Sequence, residues 1–190
     1  MRKLVYSTGV SLDGYITDPD GEIDWTVPDE ELFRFHTERV RETGLQLCGR
    51  RLYETMLYWE SSDRDPTLPE HEAEFARLWQ ALPKIVHSRT LASVQGNCTL
   101  VREIDAEAIA DLVSEPGKDI AVGGATLAGE MLARGLVDEL LLFVYPVVLG
   151  GGTPWLAPAG ARIELELLEN RVFGSRVLYL RYSVNGRRRT

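Results

Sequence analysis

Three short stretches carry residues whose types and spacing suit the binding of an anion. In "IAVGGATLAGEML", Ile120 to Leu132, an apolar run reaches Gly123 and Gly124, followed by Ala125, Thr126 and Leu127 in a segment that reads as a helix opening at Thr126. Gly124 and Gly129 match the outer glycines of a triphosphate loop, but Glu130 and Met131 stand where lysine and then serine or threonine are required. The G-x-G-x-x-G dinucleotide fingerprint is absent as well. What remains is general: glycines let backbone N–H groups approach a ligand, and a helix start points its positive dipole end at an anion. A plain tight turn uses the same residues. The corner "CGRRLYE" repeats the strand, glycine, helix arrangement with Gly49, Arg50, Arg51 and Leu52. Two arginines at a helix start oppose its dipole, so they answer either a bound polyanion or nearby acids. In "VHSRT", Ser88 and Arg89 end a strand at the edge where open α/β sheets take ligands.

Other residues have weaker claims on chemistry. Asp13 and Gly14 in "SLDGYI" form an ordinary Asp-Gly turn or place a carboxylate at the end of the first strand. In "DWTVPDEE", Pro28 opens a helix with acids in its first turn, and Glu30 there favours the helix N-terminus. Gly151 and Thr153 belong to the three-glycine turn of "VVLGGGTPW", which by itself reads as a structural corner. His36 lies on an apolar helix face and reads as a core residue.

The elements that must position these residues alternate. "KLVYSTGV" reads as a strand, with a long Asp, Gly and Pro-rich loop behind it. A helix follows Pro28 and ends at Gly44. Then come the strand "LQLC", a helix from "GRRLYETML", a helix "HEAEFARLWQALP" and the strand "KIVHS". Asp105 caps the helix of "DAEAIADLVSE", the strand "DIAV" leads into the glycine pair, and Gly135 closes the next helix. "DELLLFVYPVVL" reads as one long strand, and "IELELLENRVFGSRVLYLRYSV" as an antiparallel hairpin turning near residues 173–175. The pattern predicts one domain over 1–190, with a three-layer α/β/α architecture and a largely parallel central sheet.

Composition narrows the function. A formal charge of −8 argues against a nucleic-acid or anionic-membrane surface. Cys48 and Cys98 have no metal-ligand or disulfide-framework spacing, so no metal site is expected. The first residues have too few apolar positions for a signal segment, which makes the cytoplasm the expected compartment.

Taken together and in order, "STGVSLDGYI", "GRRLYE", "VGGATLAGEML" and "PVVLGGGTPW" resemble the dihydrofolate reductase-like family. The branch is that of the C-terminal reductase domain of bifunctional deaminase-reductases in riboflavin biosynthesis, here as a stand-alone member, and the likeness runs from Lys3 to Tyr182. The resemblance implies an NADPH-dependent oxidoreductase transferring hydride to a small pterin- or pyrimidine-like heterocycle, similar to 5-amino-6-(5-phosphoribosylamino)uracil reductase. The alternatives are dihydrofolate reductase proper and a cofactor-binding protein without turnover. By the same resemblance, Gly49, Arg50, Arg51, Leu52, Ser88, Arg89, Gly123, Gly124, Ala125, Thr126 and Leu127 hold the cofactor. Asp13 and Glu30 are the candidate catalytic acids. Trp25, Gly151 and Thr153 border the substrate, and a homodimer is expected. Leu52 departs from the threonine usual after the arginines in dihydrofolate reductases, so a backbone N–H must replace that hydroxyl. The acid, threonine and arginine run of the riboflavin enzymes is likewise replaced, by "GRRLYETMLYWESSDRDP".

Overall fold

Alternating apolar strands and amphipathic helices resolve into an eight-stranded sheet in the computed structural model, which describes residues 1–62, 65–156 and 162–185. In chain order the elements are β1 (Leu4–Ser11), β2 (Tyr15–Thr17), α1 (Glu30–Glu42), β3 (Thr43–Gly49), α2 (Arg50–Met56), α3 (Glu70–Ala81), β4 (Lys84–His87) and β5 (Cys98–Val101). They continue with α4 (Ala106–Ser114), β6 (Asp119–Gly123), α5 (Ala125–Ala133), β7 (Glu139–Tyr145), β8 (Thr153–Pro154), β9 (Leu165–Val172) and β10 (Leu178–Val184). The sheet order is β5-β4-β3-β6-β1-β7-β10-β9. Six strands run parallel, and β10 is antiparallel to both β7 and β9. Alternation along β1 sends Leu4 and Tyr6 into the layer of α4 and α5, and Val5 into the layer of α1. Tyr53, Phe75 and Trp79 bring α2 and α3 onto β3 and β4 on that second face. The result is the three-layer α/β/α arrangement with an antiparallel C-terminal pair.

Several local expectations change. Gly44 does not end α1: the helix stops at Glu42, and Gly44 lies within β3. The long strand ends at Tyr145, because Pro146 has no N–H to continue a ladder. β5 and the small antiparallel pair β2–β8 are elements that sequence pattern alone does not mark. Cys98 is only partly buried, whereas Cys48 is fully enclosed; both are free thiols.

At the N-terminal ends of the strands, away from the three stretches, Glu139 is 3% exposed yet paired. It accepts from Lys3 Nζ at 2.6 Å and from Arg181 Nε at 2.8 Å. Burial raises its pKa, but these two donors outweigh that and hold the carboxyl below the usual range. No helix among the described residues is long and apolar enough to cross a membrane.

Candidate functional site

Strand register brings the three stretches together. Cys48 on β3 lies opposite Gly123 on β6, and Gly49 opposite His87 on β4, so Gly49, Ser88 and Gly124 sit at or just beyond the C-terminal ends of three adjacent parallel strands. β1 is next beyond β6, and four neighbouring strand ends span roughly 14 Å at ordinary spacing. That width exceeds one phosphate and suits an elongated polyanion.

The centre of this edge is built from glycine backbone. Gly124 adopts φ +103°, which L residues rarely take, and a Cβ there would lie 3.5 Å from the backbone of Gly49. A Cβ on Gly123 would fall 2.1 Å from Leu52 Cδ2. Leu52 is therefore a packing wedge against the glycine corner, and only its backbone remains available to a ligand. α5 opens at Ala125 rather than Thr126, with Gly124 as a cap that offers no side chain. The first helical bond runs from Ala128 N to Gly124 O, which leaves the N–H groups of Ala125, Thr126 and Leu127 without intrahelical acceptors. Charge follows the same logic. α1, α3 and α4 carry acids in their first turns, as helix dipoles favour, whereas α2 and α5 have none and α2 begins with two arginines.

The arginine pair divides. Arg50 donates from Nε to Glu54 at 2.8 Å and from Nη1 to Thr90 Oγ1 at 2.9 Å, which carries it toward the loop after β4. Arg51 turns the other way, with Nη1 3.5 Å from Thr153 Oγ1. There it lines a cleft of about 480 Å³ with Thr17, Asp18, Gly21 and Gly152. Ser88 is a loop builder: its buried hydroxyl accepts from the N–H groups of Thr90 and Leu91. Arg89 is exposed. In the three-glycine turn the tight position is Gly152, not Gly151; a Cβ on Gly152 would come 1.9 Å from Thr17 O, at φ +124°. Thr153 Oγ1 also lies 3.1 Å from Thr17 Oγ1, which closes the β2–β8 pair over this cleft.

The two expected acids have other tasks. Asp13 accepts from Ser11 Oγ at 2.7 Å, Leu149 N at 3.1 Å and Gly150 N at 2.8 Å, stapling the end of β1 to the glycine turn. The Ser11 hydroxyl, ahead of the two amides, lowers its pKa. Glu30 is exposed and paired with Arg34 one helical turn on, at 2.7 Å, and that bond lowers its pKa too. In both groups the hydrogen-bond donors, not burial, set the direction of the shift. On the substrate side expected from the sequence, Trp25 packs edge-on against Tyr145 with ring centres 5.5 Å apart. Its Nε1 is buried with no acceptor among the described residues. Tyr145 donates to Thr26 O at 3.0 Å, and burial pushes its phenol up to about 12. Gly9 makes room for this ring, since a Cβ there would sit 3.2 Å from it.

Sequence reasoning missed Thr90, Gly152, Tyr145 and Arg102, the last of which holds the loop after β4 through its carbonyls. Among the described residues no cluster of His, Cys, Asp and Glu could hold a metal ion.

Sheet order and the antiparallel C-terminal pair together define an α/β protein of the dihydrofolate reductase-like fold. The chain belongs to the RibD C-terminal domain family, whose model matches residues 2–179. The uncharacterized protein YyaP of Bacillus subtilis is 32% identical over 186 residues, covering 97% of this chain and 96% of that one. A putative riboflavin biosynthesis protein from Shewanella superposes with a TM-score of 0.73 at 24% identity, over 97% of this chain and 99% of that one. Dihydrofolate reductase from Enterococcus faecalis, solved with NADP(H), gives a TM-score of 0.62 at 15% identity over 97% of each chain.

Proposed function

We propose that the chain is an NADPH-dependent reductase that transfers hydride to a small pterin- or pyrimidine-like heterocycle. Family membership and the dihydrofolate reductase-like neighbours support a reductase of this kind. The observation that carries the cofactor is the side-chain-free contact of Gly49 with Gly124, flanked by arginines on adjacent strand ends. A pyrophosphate would lie against the N–H groups that open α5, and a 2′-phosphate would occupy the guanidinium side at Arg50 and Arg89. The nicotinamide, when bound, supplies the hydride. Trp25 and Tyr145 would then flank the heterocycle beyond β1, with the unpaired Nε1 of Trp25 offering a hydrogen bond. Asp13 would hold the glycine turn in place, and two chains would pair through β9, whose Leu167 and Val172 are 49% and 67% exposed.

Fluorescence titration of NADPH and NADH tests the reading. NADPH should bind the wild type more tightly than NADH, and the double change Arg50→Ala, Arg51→Ala should weaken NADPH about tenfold or more. Equal affinity for the two dinucleotides, unmoved by the substitutions, would remove it.

A further inference from the structure

Residues from three strand ends build the loop Ser88–Leu91. Ser88 N donates to Val101 O at 3.0 Å, tying the end of β4 to the end of β5. Arg102, the residue after β5, donates from Nη1 to Ser88 O at 3.0 Å and also to Leu91 O. Inside the loop Ser88 Oγ accepts from Thr90 N and Leu91 N at 3.3 and 3.1 Å. From the other side Arg50 Nη1 donates to Thr90 Oγ1 at 2.9 Å. Two guanidinium groups therefore clamp four residues, and the exposed Arg89 sits between them, without an ion pair among the described residues. Within this group the ion pair among the described residues is Arg50 with Glu54. Arg50 is thus neutralised by Glu54, whereas the exposed Arg89 guanidinium is left to an anion from solution.

We propose that Arg102 is a positioning residue that sets the preference for a 2′-phosphorylated dinucleotide over the unphosphorylated form. The proposal rests on the NADPH reading above. Arg102 acts through the loop: one nitrogen holds the carbonyls at both ends of the turn, and so fixes where the Arg89 guanidinium and the Thr90 hydroxyl stand. A phosphate monoester is the group that repays such placement, because it takes several charge-assisted bonds at once. The glycine corner at Gly124 follows β6, two strands away from β4, so loosening this loop should spare the pyrophosphate.

Calorimetric titration of the full chain with 2′,5′-ADP and with 5′-ADP separates the two effects. The wild type should prefer 2′,5′-ADP. Arg102→Ala should weaken 2′,5′-ADP about tenfold or more while 5′-ADP stays within about twofold. Arg102→Lys, which keeps one charged donor nitrogen, should recover part of the loss. Thr90→Val should shift the same ratio, and decides the matter if Arg102→Ala does not fold. A ratio unchanged in the folded variants, or an equal loss for both nucleotides, overturns the role of Arg102. A wild type that does not distinguish the two nucleotides overturns the NADPH reading instead.

Discussion

Gly124→Ala separates backbone strain from ligand recognition. The added Cβ would meet Gly49 at 3.5 Å, an ordinary contact, so the cost comes from φ +103° rather than from a clash. Holding an L residue in such a region costs roughly 2 kcal/mol. For a chain of this size that lowers the melting temperature by about 4 to 8 °C. If the chain escapes the strain by turning the Gly123–Gly124 peptide, the N–H groups that open α5 lose their aim, and NADPH should bind about tenfold or more weakly. Gly135→Ala is the matched control. Its φ of +69° is also unfavourable for alanine, but it closes α5 at the far end with nothing within 4 Å of a new Cβ. Calorimetric melting and NADPH titration of both variants give four numbers. Both variants should melt early, and only Gly124→Ala should lose cofactor. Gly124→Ala binding NADPH as the wild type does would refute the glycine corner as the pyrophosphate site.

Burial holds the pKa of His36 down to about 4, its ring 4.5 Å from that of Phe143. The unfolded chain, titrating near 6.5, takes the proton first, so stability falls as pH drops from 6.5 toward 4, by about 2 kcal/mol at pH 5. His36→Leu should flatten denaturation midpoints over this window; an unchanged slope contradicts the assignment. Asp13→Asn takes a charged acceptor from Leu149 N and Gly150 N, and should lower kcat/KM about tenfold with NADPH binding within about twofold. Full activity with an early melt would confine Asp13 to stability. Light scattering behind size exclusion should give twice the chain mass, and Leu167→Glu with Val172→Glu should return the single-chain mass. A monomeric wild type excludes the β9 pairing.

The glycine corner is legible because positive φ leaves its mark on residue type: Gly124, at φ +103°, has a conformation that side chains rarely adopt. Strand and helix alternation likewise places Ser88 and Arg50 at strand ends. Direction is less legible. Successive helix residues stand about 100° apart, so adjacent arginines at a helix start address different neighbours, Arg50 the loop at Thr90 and Arg51 the cleft at Thr153. Asp13 depends on partners in a distant turn, which no local pattern shows. β5 is a four-residue edge strand with a polar flank, too short for periodicity, and Arg102 at its end went unread with it. Within the three-glycine turn, the approach of Thr17 O and a φ of +124° single out Gly152 from Gly151.

Hydrogen exchange read by mass spectrometry tests the cofactor edge most directly. NADPH should slow exchange in the peptides covering residues 49–52, 88–91 and 123–128 together, because one elongated ligand crosses all three strand ends. Unchanged exchange at these segments under saturating NADPH, or protection only elsewhere, would contradict it.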